Sequence, residues 1–229
     1  MLYQAAKFIA EPVVKAVYRP DLEGFENIPR SGPAIIASNH LSFSDSFFIP
    51  ALFPRPVTFI AKAEYFTKGG LTGWASKNFY GRFAGAVPVD RSGSRNATEA
   101  ALDVAVAALN RGELFGIYPE GTRSPDGRLY RGRTGIAEIA LRTGVPIIPV
   151  GIAGTDRIQP PGKVVPRLGR LTMRVGAPID LTAAKELGKP ALVRRAVTDE
   201  VIEAIRKLSG QEYVHVYGSD AKLAAGPDG

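Results

Sequence analysis

Cysteine is absent from this sequence of 229 residues. Disulfides, zinc–thiolate sites, iron–sulfur clusters and a thiol nucleophile are therefore excluded. Long apolar runs are also missing, since no uncharged stretch approaches the roughly 20 residues that a bilayer-spanning helix needs. Lys7 and Glu11 interrupt the region that a signal peptide would keep apolar. We therefore expect a cytoplasmic protein with neither a transmembrane helix nor a signal peptide.

Acidic residues are in the minority, because 29 Lys and Arg against 22 Asp and Glu give a net charge of +7. The excess lies after residue 61, since the basic and acidic side chains before it balance. This charge favours nucleic acid, an anionic membrane or a phosphorylated small molecule as partner. Nucleic-acid sites interleave aromatic with basic side chains, yet the basic loop 121–133 contains only Tyr130. We therefore expect no nucleic-acid partner.

Short apolar segments alternate with helical patterns from residue 34 onward. Strands are predicted at 34–38, 57–61, 86–89, 114–118, 146–152 and 171–176. Helices are predicted at 44–52, 71–79, 94–110, 134–142 and 190–208. The alternation predicts an α/β fold with a mixed, largely parallel sheet flanked by helices. Residues 21–208 are expected to form one domain, and residues 209–229, poor in apolar residues, a loose tail in which YVHVY can form a small edge strand.

Residues 1–20 are predicted to form a separate apolar helix. Its polar residues make one narrow stripe at helical spacing: Gln4, Lys7, Glu11 and Lys15. A helix this apolar must bury most of its circumference. It either packs on the core of the domain or inserts partly into a membrane interface, and the sequence leaves both interpretations open.

His40 and Asp45 are candidate catalytic residues. His40 follows the predicted strand 34–38, and ligands of α/β sheets bind at the carboxyl ends of strands. Asp45, five residues later, can accept a hydrogen bond from the imidazole and leave the other ring nitrogen as a base. No partnering nucleophile is evident, so the pair would activate a substrate hydroxyl directly. The alternative, which spacing alone favours, is that Asp45 only caps the next helix.

A second polar cluster, Glu120 with Arg123, follows the predicted strand 114–118. The loop after it adds three arginines, and arginine forks bind phosphate in a bidentate manner. Lys62 and Arg91 stand after two further predicted strands. A base at one strand end and an anion clamp at the next predict a single pocket.

Four blocks of this sequence resemble the signature blocks of the glycerolipid acyltransferases, the group that includes 1-acylglycerol-3-phosphate acyltransferase. They are NHLSFSD at 39–45, GAVPVDR at 85–91, YPEGTRS at 118–124 and VPIIPVGI at 145–152. They occur in the order found in that family, and the resemblance spans roughly residues 25–180. Pro88 and Val89 depart from the second block, where relatives often carry other apolar residues.

The resemblance implies a role for each matching residue. His40 would be the general base and Asp45 the residue that orients it. The glycerophosphate-binding residues would be Lys62, Glu120, Gly121, Thr122 and Arg123. Asn39 and Arg91 are candidate supporting residues.

The reaction implied is transfer of an acyl group from a thioester to the free hydroxyl of 1-acylglycerol 3-phosphate, which gives phosphatidic acid. The donor would be acyl-coenzyme A or acyl carrier protein, with no covalent acyl-enzyme, no metal and no cofactor. The enzyme would be peripheral, on the anionic inner face of the cell membrane, and attached through the helix of residues 1–20.

Other functions stay open. The acceptor hydroxyl could belong to glycerol phosphate, a lyso-ornithine lipid or a glycolipid, and water in its place would make the protein a hydrolase. A non-catalytic module that binds anionic lipid is a further alternative, although such a module has no need of His40 and Asp45.

Overall fold

A computed structural model describes residues 2–62, 86–89, 95–181 and 188–225 of the chain. In these residues, seven strands form one sheet. The strands are β1 (Asp21–Glu23), β2 (Ala34–Ser38), β3 (Val57–Lys62), β4 (Ala86–Val89), β5 (Leu114–Ile117), β7 (Ile147–Ala153) and β8 (Thr172–Val175). Their order across the sheet is β1-β8-β7-β2-β5-β3-β4. Neighbours pair in parallel, except that β7 and β8 are antiparallel.

Helices cover both faces of this sheet. They are α1 (Leu2–Tyr18), α2 (Asp45–Leu52), α3 (Arg95–Asn110), α4 (Gly135–Thr143), α5 (Thr155–Ile158), α6 (Pro190–Ser209) and α7 (Gly218–Ala225). A 3₁₀ turn at Phe25–Asn27 and a small parallel pair, β6 (Leu129–Tyr130) with β9 (Tyr213–Val214), complete the described elements. The predicted α/β class with a mixed, largely parallel sheet is confirmed.

The central strands are apolar along their whole length because both of their faces are covered. Alternate side chains of β2 point to opposite faces, so that Ile36 packs with Phe48 of α2, and Ile35 packs with Ala105 of α3. The strand AIIAS is buried at every position. This is why a plain apolar run, without alternation, marked the strand correctly.

The register of the central strands fixes where the polar segments emerge. Ala37 of β2 lies beside Ile117 of β5 on one side and beside Pro149 of β7 on the other. Because β2 and β5 are parallel, the segments that follow them leave the same edge of the sheet next to each other. Residues 39–45 and 118–124 are thereby brought together.

Most predicted elements occur within one or two residues of their expected bounds. The strands at 34–38 and 86–89 have the bounds predicted for them. The helix predicted at 71–79 lies outside the described residues.

The expectation of a loose tail at 209–229 is corrected by the structure as far as residue 225. β9 pairs with β6, and the Arg131 N–H donates to the Val216 carbonyl at 3.0 Å. α7 follows directly. Backbone hydrogen bonds attach this segment to the loop 121–133, and composition gives no signal for attachment of that kind.

Helix α1 packs on α2 along one face of its described part, residues 7–18. Val14 is buried, the Tyr18 ring meets the Phe48 ring edge-on, and the Lys7 ammonium donates to the Phe53 carbonyl. The opposite face exposes apolar side chains: Phe8, Ile9, Val13 and Val17. Among the described residues, no helix has both the length and the apolar character that crossing a membrane requires.

Candidate active site

A cavity of about 650 Å³ opens at the edge of the sheet where β2 and β5 end. His40 lines it, together with Thr122 and Arg123 of the neighbouring segment. One part of its wall is apolar, formed by Phe43, Phe59, Ile60, Ala101, Ile117 and Ile136. The cavity therefore offers a base, a cationic region and an apolar surface to one ligand.

The His40–Asp45 pair, which the family resemblance implied although spacing alone favoured a helix cap, forms in the structure. His40 Nδ1 lies 2.9 Å from Asp45 Oδ2, and Asp45 is completely buried as the first residue of α2. The same oxygen accepts the N–H groups of Leu41 and Ser42, at 2.8 Å each. Asp45 thus shapes the turn before α2 and also binds the imidazole, so capping alone does not describe it.

This geometry selects one tautomer of the His40 imidazole. With the proton on Nδ1 donated to Asp45, Nε2 is the basic nitrogen of the ring. The His40 ring also stacks on Tyr118, with 3.8 Å between ring centroids and 7° between planes. The Tyr118 hydroxyl lies 3.2 Å from Ser46 Oγ. The imidazole is therefore fixed by a carboxylate in its plane and by an aromatic ring on its face.

Glu120 lies behind His40 and does not line the cavity. Its Oε1 accepts the His40 N–H at 3.0 Å, and its Oε2 accepts the Tyr130 N–H at 2.9 Å. Burial raises the pKa of this carboxyl to about 7, and the Asp45 charge adds to the rise, while the two N–H donors oppose it. In the structure Glu120 joins three segments and positions His40.

One backbone hydrogen bond also joins the two polar segments, and another closes the turn within the segment 118–124. The Ser124 N–H donates to the His40 carbonyl at 2.7 Å, and the Gly121 N–H donates to the Tyr118 carbonyl at 2.9 Å. Gly121 has a φ of 73°, in the left-handed region that favours glycine, so this turn needs glycine at that position. The turn directs Thr122 and Arg123 toward the cavity.

Cationic groups line the cavity beside this turn. Arg123 is exposed there, and Arg133 lies over the Tyr217 ring at 5.0 Å and donates to Ser219 Oγ at 2.9 Å. Lys222 of α7 donates to Thr122 Oγ1 at 2.7 Å. The other loop arginines are not part of the cavity lining. Arg128 pairs with Asp126, and Arg131 lies 5.3 Å from the centroid of the Tyr217 ring.

The remaining predicted residues have different places. Asn39 is buried and bonds both the N–H and the carbonyl of Ile152, at 2.8 Å each, so it fastens the end of β2 to β7. Lys62 is the last residue of β3, and its side chain lies outside the described part of the structure. Arg91 lies outside the described residues. Within the described residues, no group of three His, Asp or Glu side chains could hold a metal ion.

Sequence reasoning missed two residues of this site. Tyr118 stands in the YPEGTRS block but was given no role, although its position at a strand end was a usable signal. Lys222 stands in a segment without a motif, and no local pattern could have identified it.

Comparison with known proteins places these features in a family context. The family model Acyltransferase matches residues 19–153. The chloroplastic 1-acyl-sn-glycerol-3-phosphate acyltransferase of Brassica napus is 35% identical over 158 residues, which cover 69% of this chain and 44% of that protein. The alpha form of Ovis aries is 27% identical over 86% of this chain and 67% of its own length. The chain spans less than half the length of its plant relatives.

A solved structure supports the same relationship. The crystal structure of the 1-acyl-sn-glycerophosphate acyltransferase of Thermotoga maritima matches with a TM-score of 0.66 and 28% identity. The match covers 91% of this chain and 82% of the Thermotoga chain. The likeness therefore extends over nearly the whole chain.

Proposed function

Because the chain belongs to the acyltransferase family, we propose that it transfers a fatty acyl group from a thioester to the free hydroxyl of 1-acyl-sn-glycerol 3-phosphate. The product is phosphatidic acid. The names of the relatives from Brassica napus and Ovis aries support this acceptor. The observation that carries the proposal is the His40–Asp45 pair in a cavity with a cationic region and an apolar wall.

His40 acts as the general base. Its Nε2 takes the proton of the acceptor hydroxyl as the hydroxyl oxygen attacks the thioester carbonyl carbon. The new C–O bond forms, the C–S bond breaks, and the imidazolium returns its proton to the departing thiolate. Asp45 stabilises the imidazolium through the 2.9 Å contact with Nδ1.

The acceptor phosphate lies in the cationic region, with Arg123 as its principal partner. The guanidinium offers a fork of N–H donors that matches two phosphate oxygens. Thr122, Gly121 and Lys62 contribute to the same region, and Arg91 supports it. Glu120 acts on the acceptor indirectly, because both of its oxygens are occupied by backbone N–H groups.

The donor is acyl-coenzyme A or an acyl carrier protein. A thioester is already activated for attack, so the proposal calls on no metal or organic cofactor. The enzyme works on the anionic inner face of the cell membrane, where its lipid acceptor resides. The exposed apolar face of α1 supports shallow attachment to such a surface.

The test is thiol release from palmitoyl-coenzyme A with and without lysophosphatidate, for wild type and His40→Ala. We expect release that requires the lipid and that falls by about 10²–10⁴-fold in the variant, the usual contribution of a general base. His215→Ala is the matched control, because His215 is exposed and lies outside the cavity lining. Its rate should equal that of wild type.

Other outcomes assign other functions. Thiol release without lipid indicates a hydrolase, and release with glycerol phosphate or a glycolipid alone indicates another acceptor. A His40→Ala variant that keeps the wild-type rate would refute His40 as the base.

A further inference from the structure

We propose that Lys222, on α7, binds the acceptor phosphate and makes the site selective for a phosphomonoester over a phosphodiester. The inference rests on the proposed function and adds a residue from a segment that none of the four sequence blocks includes. It starts from a contact across the cavity wall, where Lys222 Nζ lies 2.7 Å from Thr122 Oγ1.

The position of Lys222 joins it to the site already described. Thr122 stands between Gly121 and Arg123, in the turn that directs cationic groups into the cavity. Lys222 lines the same cavity as His40 and Arg123. A phosphate held by Arg123 is therefore within the region that the Lys222 ammonium reaches.

Several contacts hold α7, the helix that carries Lys222, against the turn at residues 121–123. Gly218 is buried at the start of α7, and a Cβ there would lie 3.0 Å from Thr122 Cγ2, so only glycine permits this close approach without displacement. Arg133 adds a bond to Ser219 and lies over the Tyr217 ring. These contacts fix α7 against the turn.

The charges around the cavity favour the binding of an anion. Among the described residues, Arg123, Arg133 and Lys222 line the cavity, and no ion pair joins any of them to a carboxylate. Glu120 bonds two backbone N–H groups, and exposed Asp220 accepts a hydrogen bond from Ser219, so neither carboxylate forms an ion pair with these cations. Burial and the nearby Arg123 charge lower the pKa of Lys222, while Glu120 opposes that shift. An anion between the two cations would relieve their repulsion.

The number of cations favours a doubly charged ligand. A phosphomonoester carries a charge of about −1.5 to −2 at pH 7 and has three terminal oxygens. A phosphodiester carries one charge and has two. The guanidinium of Arg123 can bind two of the three phosphate oxygens, and the compact ammonium of Lys222 adds a donor for the third. Lysophosphatidate fits this set better than a lysophospholipid with a head group on its phosphate.

The test compares Lys222→Gln with Lys222→Arg and Leu223→Gln in steady-state assays of the full chain. The acceptors are lysophosphatidate and lysophosphatidylglycerol. We expect Lys222→Gln to raise the KM for lysophosphatidate by roughly tenfold or more, the usual effect of losing a charged hydrogen bond. kcat, the KM for the acyl donor and the KM for the diester should change less than about twofold, well short of that loss. Lys222→Arg should keep the KM for lysophosphatidate close to that of wild type. Leu223→Gln, on an exposed part of α7, should match wild type.

A purely structural role predicts a different result. If Lys222 only holds α7 to Thr122, Lys222→Gln raises the KM equally for both acceptors and lowers the melting temperature. That result would overturn the proposal. Unchanged KM values would also overturn it. If Lys222→Gln does not fold, Lys222→Met provides the same comparison with the apolar stem retained.

Calorimetric titration with lysophosphatidate separates this proposal from the proposed function. A wild type that transfers no acyl group contradicts the proposed function alone if it still binds lysophosphatidate tightly and Lys222→Gln binds it about tenfold more weakly. Equal affinity of wild type and variant, or no binding by either, contradicts the role of Lys222.

Discussion

Two buried carboxyl groups, Asp45 and Glu120, contact different parts of His40. Asp45 contacts the imidazole, whereas Glu120 contacts the His40 backbone N–H. The family resemblance of the block at 39–45 implied the first contact, whereas its spacing alone favoured a helix cap. The second could not be predicted, because an acidic residue in a loop block indicates ligand binding as readily as a bond to a distant N–H. The same limit applies to Lys222, whose partner Thr122 is remote in sequence.

Glu120 makes stability depend on pH. Its pKa is raised to about 7 in the folded state from 4.5, so the folded chain holds this proton more tightly than the unfolded chain. That stabilisation is present below pH 4.5 and is lost as pH rises toward 7. We expect the free energy of unfolding to fall by about 1–3 kcal/mol from this source across the window. Glu120→Gln should flatten the profile in denaturant titrations at each pH.

The control for this experiment is Glu203→Gln. Arg206 holds the pKa of Glu203 below its usual value, so its contribution is lost only as pH falls below 4.5. The profile between pH 4.5 and 7 should therefore keep its slope in that variant. A slope that Glu120→Gln leaves intact would show that other groups cause it.

At the scale of elements, six of the seven strands of the main sheet were predicted, whereas the short strands β1 and β6 and the last helix were not. A buried strand such as β2 can be recognised in the sequence as an unbroken apolar run between turn residues. α7 has few buried apolar residues and is attached by hydrogen bonds, by a close glycine contact and by arginines over Tyr217. Such contacts depend on the loop opposite, so they have no signature within the segment itself.

Gly218 tests the attachment of α7. Gly218→Val would push against Thr122 Cγ2 and the Tyr130 ring, which lie 3.0 and 3.5 Å from an added Cβ. We expect a lower melting temperature and a KM for lysophosphatidate that rises several-fold, because Lys222 moves away from the cavity. Ala224→Val adds a branched side chain on an exposed part of the same helix and should change neither. A Gly218→Val variant with wild-type KM would show that α7 does not serve the site.

At the scale of the whole molecule, α1 carries a face of exposed apolar side chains, and a second exposed apolar group lies at Val164, Val165 and Leu168. Phe8 is 82% exposed and Ile9 is 68% exposed, although Val14 on the other face is buried. The sequence left core packing and membrane contact as alternatives, and the structure assigns one face of α1 to the core. The other face has no such role within the described residues.

Vesicle sedimentation can test that outer face. The double variant Phe8→Ser with Val13→Ser should bind vesicles rich in anionic lipid about tenfold more weakly, because it removes apolar area from the contact. Its melting temperature should stay unchanged, since both side chains are exposed. Val164→Ser with Leu168→Ser removes exposed apolar side chains elsewhere and serves as control. An equal loss of vesicle binding in both double variants would indicate nonspecific hydrophobic adsorption rather than a membrane-binding face on α1.

The parallel pairing of β2 with β5, and of β6 with β9, also bears on how the molecule folds. The site draws on His40, on Glu120 and on Lys222, which are far apart along the chain and meet only after several long-range pairings have formed. Contacts between remote segments form slowly, because the intervening loop must first be closed at a cost in entropy. We therefore expect the site to be complete only late in folding, after both pairings have formed.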